Sequence, residues 1–284
     1  MRWRHARGEL DCSRGRLVGI VNATPDSFTD EGRHFDTERS VVHGCALAAQ
    51  GAAVVEVGGE SLRFSPRTPV EEEIRRVEPV VAALVSELSV PVAIDTFKAP
   101  VAEAAIAAGA AIVNDPTGLR DPAMRRVLAA SEAGLVLTHF YGAPKLRPRV
   151  FPDVDVVSAV ADWARAAIAD AGEGGIAPER IVVDPGVGLG KSPQQDLDLL
   201  RRIDEVVAVG RPVFVPISNK KVIGAVTGAD APDRLSGTAA GMVWARSRGA
   251  TLFRVHEVGF LRQALEMADA LADGEPARWH EVVK

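Results

Sequence analysis

The feature that most constrains this chain is a recurring unit. Eight times a short β-branched apolar run gives way to a polar or glycine-containing loop, and most of these loops lead into an alanine-rich amphipathic stretch. The runs are RLVGIVN (16–22), AAVVEVG (52–58), PVAIDT (91–96), AAIVND (110–115), GLVLTH (134–139), RIVVDPG (180–186), PVFVPIS (212–218) and ATLFRVH (250–256). Helical periodicity is read at 70–88, 99–109, 121–131, 153–172 and 260–273. Thr68-Pro69 ahead of Glu71-Glu72-Glu73 marks a helix start, with proline at the first turn and acids facing the dipole. Doubly wound sheets share this alternation, so the count decides. Eight units in 284 residues predict an α/β fold of the (β/α)8 TIM-barrel type. No low-complexity linker divides the chain, so a single domain spanning 1–284 is expected, its core covering about 16–273.

Composition narrows the class. Hydrophobic residues make up 47% and charged residues 25%, as in a globular protein with a sizeable core. A net charge of −5 speaks against a general nucleic-acid binder. No apolar run is long enough for a membrane span, and the charged start MRWRHARGEL lacks the apolar region of a secretory signal. The cysteines, Cys12 and Cys45, are far apart and have no zinc-type spacing with histidine. A cytoplasmic location is the expectation.

IVVDPGVGLGKS (181–192) looks at first like a phosphate-binding loop. The P-loop pattern needs a glycine at position 185 if Gly190-Lys191-Ser192 closes it, and Pro185 stands there with no N–H to offer. What remains is a buried strand that ends in a carboxylate, Asp184, before a loose glycine loop.

All eight runs end in polar groups. In order these are Asn22; Glu56, Glu60 and Arg63; Asp95-Thr96; Asn114-Asp115; His139; Asp184; Ser218-Asn219-Lys220-Lys221; and Arg254 with His256. Singly, each has a bland reading: Asp95 as a helix cap, Asn114 as a turn former, His256 as a satisfied core residue. Together they converge on the C-terminal mouth, where sites on such barrels are built. Two chemical subsets emerge. Asp95, Asn114, Asp184 and Lys220 can read the donor and acceptor edge of a flat heterocycle. Asn22, Arg63, Arg254 and His256 suit a phosphate or pyrophosphate, with an amide oxygen able to assist a divalent metal.

These motifs resemble the dihydropteroate synthase family. The likeness runs over about residues 16–260 and rests on GIVNATPDSFTDEG, GGES-R, AIDTFKAPVAEAAIAAGAAIVND, VVDPGVGLGK, SNKKVIG and RVHEV. It implies condensation of 6-hydroxymethyl-7,8-dihydropterin pyrophosphate with p-aminobenzoate, pyrophosphate leaving with the help of Mg2+. Carried over by position, Asp95, Asn114, Asp184 and Lys220 would hold the pterin, with the glycines near Asp184 letting the loop approach the ring. Asn22, Arg63, Arg254 and His256 would hold the pyrophosphate, with Asn22 at the metal. Asp95, Lys220, Arg254 and His256 would be the catalytic set.

The chain also departs from the family pattern. GGESTRPG is here GGESLRFS, with Leu62 and Phe64; SRK is Ser218-Asn219-Lys220; an aromatic residue is replaced by Leu189; the acid before GGES is Glu56; and Thr138-His139 stands for Met-His. Leu62, Phe64, Leu189, Ser218 and Asn219 would line the acceptor pocket. The expectation is a dihydropteroate-synthase-like transferase. The alternatives are a relative using another acceptor, a non-catalytic pterin binder, or a folate-dependent methyltransferase barrel, for which the Arg254/His256 anion set would be surplus. Helix 233–249, with Met242 and Trp244, suits either a homodimer contact or core packing.

Overall fold

The structure is a computed structural model that describes residues 1–24, 37–62, 66–146 and 149–274. Eight parallel strands form the barrel: β3 (Arg16–Asn22), β4 (Val54–Gly58), β5 (Val92–Asp95), β6 (Ile112–Asp115), β7 (Gly134–Thr138), β8 (Ile181–Asp184), β9 (Phe214–Val215) and β10 (Leu252–Val255). Their hydrogen-bonded order is β8-β7-β6-β5-β4-β3-β10-β9, and a parallel bridge between Val183 and Val213 closes the ring. The (β/α)8 barrel expected from the repeat is therefore the observed fold.

The helices wrap the outside. They are α1 (Thr37–Ala49), α2 (Val70–Glu87), α3 (Ala99–Ala107), α4 (Pro122–Ala129), α5 (Val156–Glu173), α6 (Pro193–Arg201), α7 (Ile203–Val207), α8 (Lys221–Thr227), α9 (Leu235–Ser247) and α10 (Val258–Asp273). Local signals set their ends. Asp121 and Asp155 cap α4 and α5 by accepting the N–H of Ala123 and Val157. Ser192 and Gln195 form a reciprocal capping box on α6. Pro69 precedes α2 as the sequence suggests. Of the three glutamates in its first turn, however, Glu73 is buried and turns toward Thr96 and Lys98. On α9, Met242 is fully buried in the core, whereas Trp244 is half exposed with its indole N–H on the Leu200 carbonyl at 3.0 Å.

Side chains alternate along each strand, and the alternation builds the interior. Val18, Val54, Ala93, Ile112, Val136, Val182, Phe214 and Leu252 form one apolar layer, one residue from each strand. Below it the chain supplies an element that periodicity did not reveal. An antiparallel hairpin, β1 (Arg2–His5) and β2 (Gly8–Asp11), closes the barrel floor. Trp3 is fully buried against the apolar layer and donates its indole N–H to the Arg180 carbonyl at 2.8 Å. Strands this short, with charged residues at alternate positions, carry too little pattern to stand out in the sequence.

Trp3 thus serves as the barrel plug. Trp3→Ala leaves a cavity that the closed ring cannot collapse into, and is expected to cost about 3–5 kcal/mol. Chemical denaturation checks this; a loss below about 1 kcal/mol would show that the hairpin is not part of the cooperative core.

Candidate active site

Two residues beyond the apolar layer, the same inward face turns polar. Val54 is followed by Glu56, Ala93 by Asp95, Ile112 by Asn114, Val136 by Thr138, Val182 by Asp184 and Leu252 by Arg254. Six strands thus bring six polar side chains to the barrel mouth. The neighbouring residues Asp115 and His139 have the opposite parity and leave the site. Asp115 accepts from Thr117 and from the Leu119 N–H, shaping its own loop. His139 sits edge-on to Phe151 and Trp163, at centroid distances of 5.5 and 5.0 Å. Burial, followed by the Lys191 and Arg120 charges, pushes its pKa down to about 3, so the imidazole is neutral.

The inward groups form one network. Arg254 donates from Nε to Glu56 Oε1 and from Nη2 to Asp95 Oδ2, the latter at 2.8 Å. Asn114 Nδ2 donates to Glu56 Oε2 at 3.0 Å. Thr138 Oγ1 stands 3.5 Å from Asn114 Oδ1 and 3.4 Å from Asp184 Oδ2. Asp184 Oδ1 accepts the Gly186 N–H at 2.7 Å. Arg254, assigned from sequence to the anion subset, is therefore tied at its base to the heterocycle subset. Its pKa is held above the ordinary arginine value by Glu56 and Asp95 against the opposing effect of burial. Glu56 and Thr138, which entered neither subset, join Asn114 on both sides. Counting two residues on from each apolar interior position would have found them.

Burial dominates the electrostatics. It raises the pKa of Asp184 to about 6, against the Gly186 N–H and the Lys220 and Lys191 charges. Burial also raises that of Asp95, opposed by Arg254. Lys220 is shifted down by desolvation, opposed by Asp184. At the rim, Ser218 Oγ lies 2.8 Å from His256 Nδ1. Desolvation, with Arg254 and Lys220 nearby, pushes His256 below the usual histidine range, although its ring keeps solvent access. At neutral pH it offers a neutral hydrogen-bonding ring rather than a second cation. Asn22 is half-buried at the end of β3.

The glycine loop after β8 has a structural purpose that the sequence did not reveal. Gly186 and Gly190 have φ of +73° and +74° and press on the neighbouring chain; a Cβ there would lie 1.8 Å from the His139 carbonyl oxygen and 1.9 Å from that of Tyr141. Lys191 is folded inward, donating Nζ to the carbonyls of Gly186 at 2.9 Å and of His139 and Leu189 at 3.3 Å. The expected close approach to a ligand ring is thus, at these two glycines, a close approach to backbone. Gly188 has a different neighbour, since the stem of Lys220 crosses it.

The expected acceptor-pocket residues hang from different supports. The carbonyl of Leu62 accepts the Lys145 N–H and that of Leu189 accepts the Tyr141 N–H, each at 3.3 Å, so both rest on the loop after β7. Behind Leu62, Lys98 pairs with Glu60 at 2.7 Å and Glu73 at 2.6 Å, and Lys145 lies 3.3 Å from Glu60. Asn219 has φ of +57°, which asparagine tolerates better than most residues. Its N–H donates to Thr238 Oγ1, and its carbonyl accepts from Arg234. Arg63 and Phe64 lie outside the described residues.

Comparison with known proteins identifies this architecture. The model of the pterin binding enzyme family matches residues 18–256. The chain belongs to that family. A protein named inactive dihydropteroate synthase 2, from Mycobacterium tuberculosis strain H37Rv, is 40% identical over 274 residues, covering 93% of this chain and 85% of that one. A probable bifunctional folylpolyglutamate synthase/dihydropteroate synthase of Haloferax volcanii is 40% identical over 264 residues; these are 93% of this chain but only 31% of that protein. Among solved structures, the Xanthomonas albilineans dihydropteroate synthase with 4-aminobenzoic acid superposes with a TM-score of 0.88 at 39% identity, covering 95% of this chain and 98% of that one.

Because the folded-state pKa of Asp184 lies above its unfolded value, the stability this group contributes is present below about pH 4 and lost as pH rises through about 6. Asp184→Asn removes that titration. Relative to the parent, the variant should gain about 1–3 kcal/mol between pH 4 and pH 7, levelling above about 6. Melting curves that stay parallel across this range would contradict the assignment.

Proposed function

We propose that the chain is a dihydropteroate-synthase-like transferase that joins an amine to 6-hydroxymethyl-7,8-dihydropterin pyrophosphate and releases pyrophosphate. The observation that carries this reading is the inward polar layer, in which the acceptors Asp95, Asn114 and Asp184 share one mouth with the cations Lys220 and Arg254. A 2-amino-4-oxo ring edge is rich in N–H donors and matches the carboxylates; Lys220 suits the ring's acceptor atoms.

In this reaction the C–O bond to the pyrophosphate breaks and an amine nitrogen forms the new bond to the methylene carbon, then loses a proton. Cation must be stabilised on one side and anion on the other, and strong base catalysis is not required. Arg254 and Lys220 would orient the ring and its pyrophosphorylated arm. Asn22, Ser218 and the neutral His256 would offer polar contacts at the rim. Magnesium fits this donor set as an ion shared with the substrate. Among the described residues no group of three or more His, Cys, Asp or Glu is placed to hold a metal, and such an ion needs few protein ligands when phosphate oxygens supply the rest. Asn22 would hold it through its amide oxygen, and its charge would ease departure of the pyrophosphate.

A second reading is pterin binding without synthase turnover. The M. tuberculosis relative named inactive favours it, as does Asn219 at a position where the family pattern carries an arginine. The protein should be incubated with dihydropterin pyrophosphate, magnesium and a panel of amines that includes p-aminobenzoate, with pyrophosphate and coupled product followed by mass spectrometry. Pyrophosphate release that depends on an amine supports the transferase. Tight pterin binding with no release supports the binder.

The altered acceptor residues predict weak use of p-aminobenzoate and weak inhibition by sulfonamides. The double change Leu62→Thr with Asn219→Arg should raise p-aminobenzoate turnover. The gain is limited by the left-handed backbone at 219, which costs a larger side chain about 1–2 kcal/mol. Efficient turnover by the parent at micromolar p-aminobenzoate would overturn the altered pocket and leave the transferase standing.

A further inference from the structure

Glu56 has no place in the two expected subsets, yet it holds the centre of the inward network. Its residue is 1% exposed. As an ionised carboxylate it can only accept. One oxygen takes the Nε–H of Arg254, and the other takes Nδ2–H of Asn114 at 3.0 Å. Arg254 cannot release this carboxylate easily, since it bridges Glu56 to Asp95.

The consequence falls on Asn114. A carboxamide has one end that donates and one that accepts, of nearly equal size, so its orientation is set by its partners. With Glu56 on one side, turning the amide over would set its oxygen against a carboxylate oxygen. Thr138, on the other side, imposes no such choice, because a hydroxyl can donate to Oδ1 or accept from Nδ2. The carbonyl oxygen of Asn114 is 3.5 Å from that hydroxyl, and the same hydroxyl lies 3.4 Å from Asp184 Oδ2. When Asp184 is ionised, the hydroxyl proton belongs on the carboxylate, and Asn114 Oδ1 is left as an acceptor to be satisfied.

We infer that Glu56 is a positioning residue that locks Asn114 with only its carbonyl oxygen on offer, so that the site discriminates for ring edges that donate hydrogen bonds. The inference rests on the pterin reading above and deepens it. Asp95, Asn114 and Asp184 then present acceptors side by side. A ring carrying an exocyclic amine satisfies them, and a ring with an oxo group at the same place leaves buried acceptors facing an acceptor.

The test uses two ligands that differ at the 2-position and the adjoining N1: 6-hydroxymethylpterin, with a 2-amino group beside an acceptor nitrogen, and 6-hydroxymethyl-lumazine, with a 2-oxo group beside an N–H. Affinities are measured by calorimetry at pH 8. The parent should favour the pterin by on the order of a hundredfold or more, as sites built to bond an N–H do. In Glu56→Gln the amide oxygen stays on the Arg254 Nε–H, so the new NH2 faces Asn114 and turns its carbonyl toward itself and its NH2 toward the ligand; the ratio should fall about tenfold. Any weakening of Arg254 affects both ligands and cancels in the ratio. Asn114→Ala should lower the ratio by a similar factor, and adding Glu56→Gln in that background should change it no further, because the effect passes through Asn114.

An undiminished ratio in Glu56→Gln overturns the inference, as does one in Asn114→Ala, which remains informative if the Gln variant does not fold. Additive losses in the double variant also overturn it. A parent that binds pterin but does not discriminate overturns the lock and leaves the proposed function standing. A parent that binds neither ligand removes the pterin reading and the lock with it.

Discussion

Everything at the mouth of this barrel depends on the two-residue repeat of its strands. A closed parallel ring has a single interior, and each strand must fill it with alternate residues. Here one turn of that alternation is apolar on all eight strands, and the next is polar on six. The change occurs over a single step, about 7 Å along the strand. An apolar layer directly beneath ionisable groups denies them water from below. Desolvation is therefore the leading cause of the shifts at Asp95, Asp184 and Lys220. The same dry floor makes hydrogen-bond satisfaction obligatory, and the Arg254–Glu56–Asn114 contacts supply it.

The charges in this layer are not balanced. Glu56, Asp95 and Asp184 face Arg254 and Lys220, three acids against two bases. Burial raises the pKa of Asp95 and Asp184, so a proton shared among these acids can offset the formal excess. The leaving anion would be met at the rim, where Asn22 and His256 stand. Glu56 limits Arg254 in this respect, since part of the guanidinium's hydrogen-bonding capacity is spent inside the network rather than on a ligand.

The sequence revealed the strands well, because each is a β-branched run with a polar end. Every barrel strand lies within the segment expected for it, and β3 coincides with 16–22. Of the polar strand ends, Glu56, Asp95, Asn114, Asp184 and Arg254 share the inward face, whereas Asp115 and His139 do not. What they did not reveal was facing: Asn114 and Asp115 are adjacent in sequence, yet one enters the network and the other folds into its own loop. Nor could spacing give partner choice. Arg254 looks like an anion ligand until the strand register puts Glu56 and Asp95 within its reach. Glycines 186 and 190 suggested a ligand-hugging loop, but their neighbours are the carbonyls of another loop, a long-range contact with no local signature. The hairpin at the floor was missed for want of pattern, since its anchoring side chain is a single tryptophan.

That hairpin carries a built-in reporter. Cys12 follows directly after β2 and is 2% exposed within the same cluster as Trp3. Burial raises its thiol pKa to about 11, so it reacts sluggishly while the hairpin is docked. Cys45, on α1, is only partly buried. The rate at which a thiol reagent modifies Cys12 therefore clocks how often the floor of the barrel opens. It does so independently of the mouth, at the opposite end of the strands, and turns a packing detail into a measure of local unfolding.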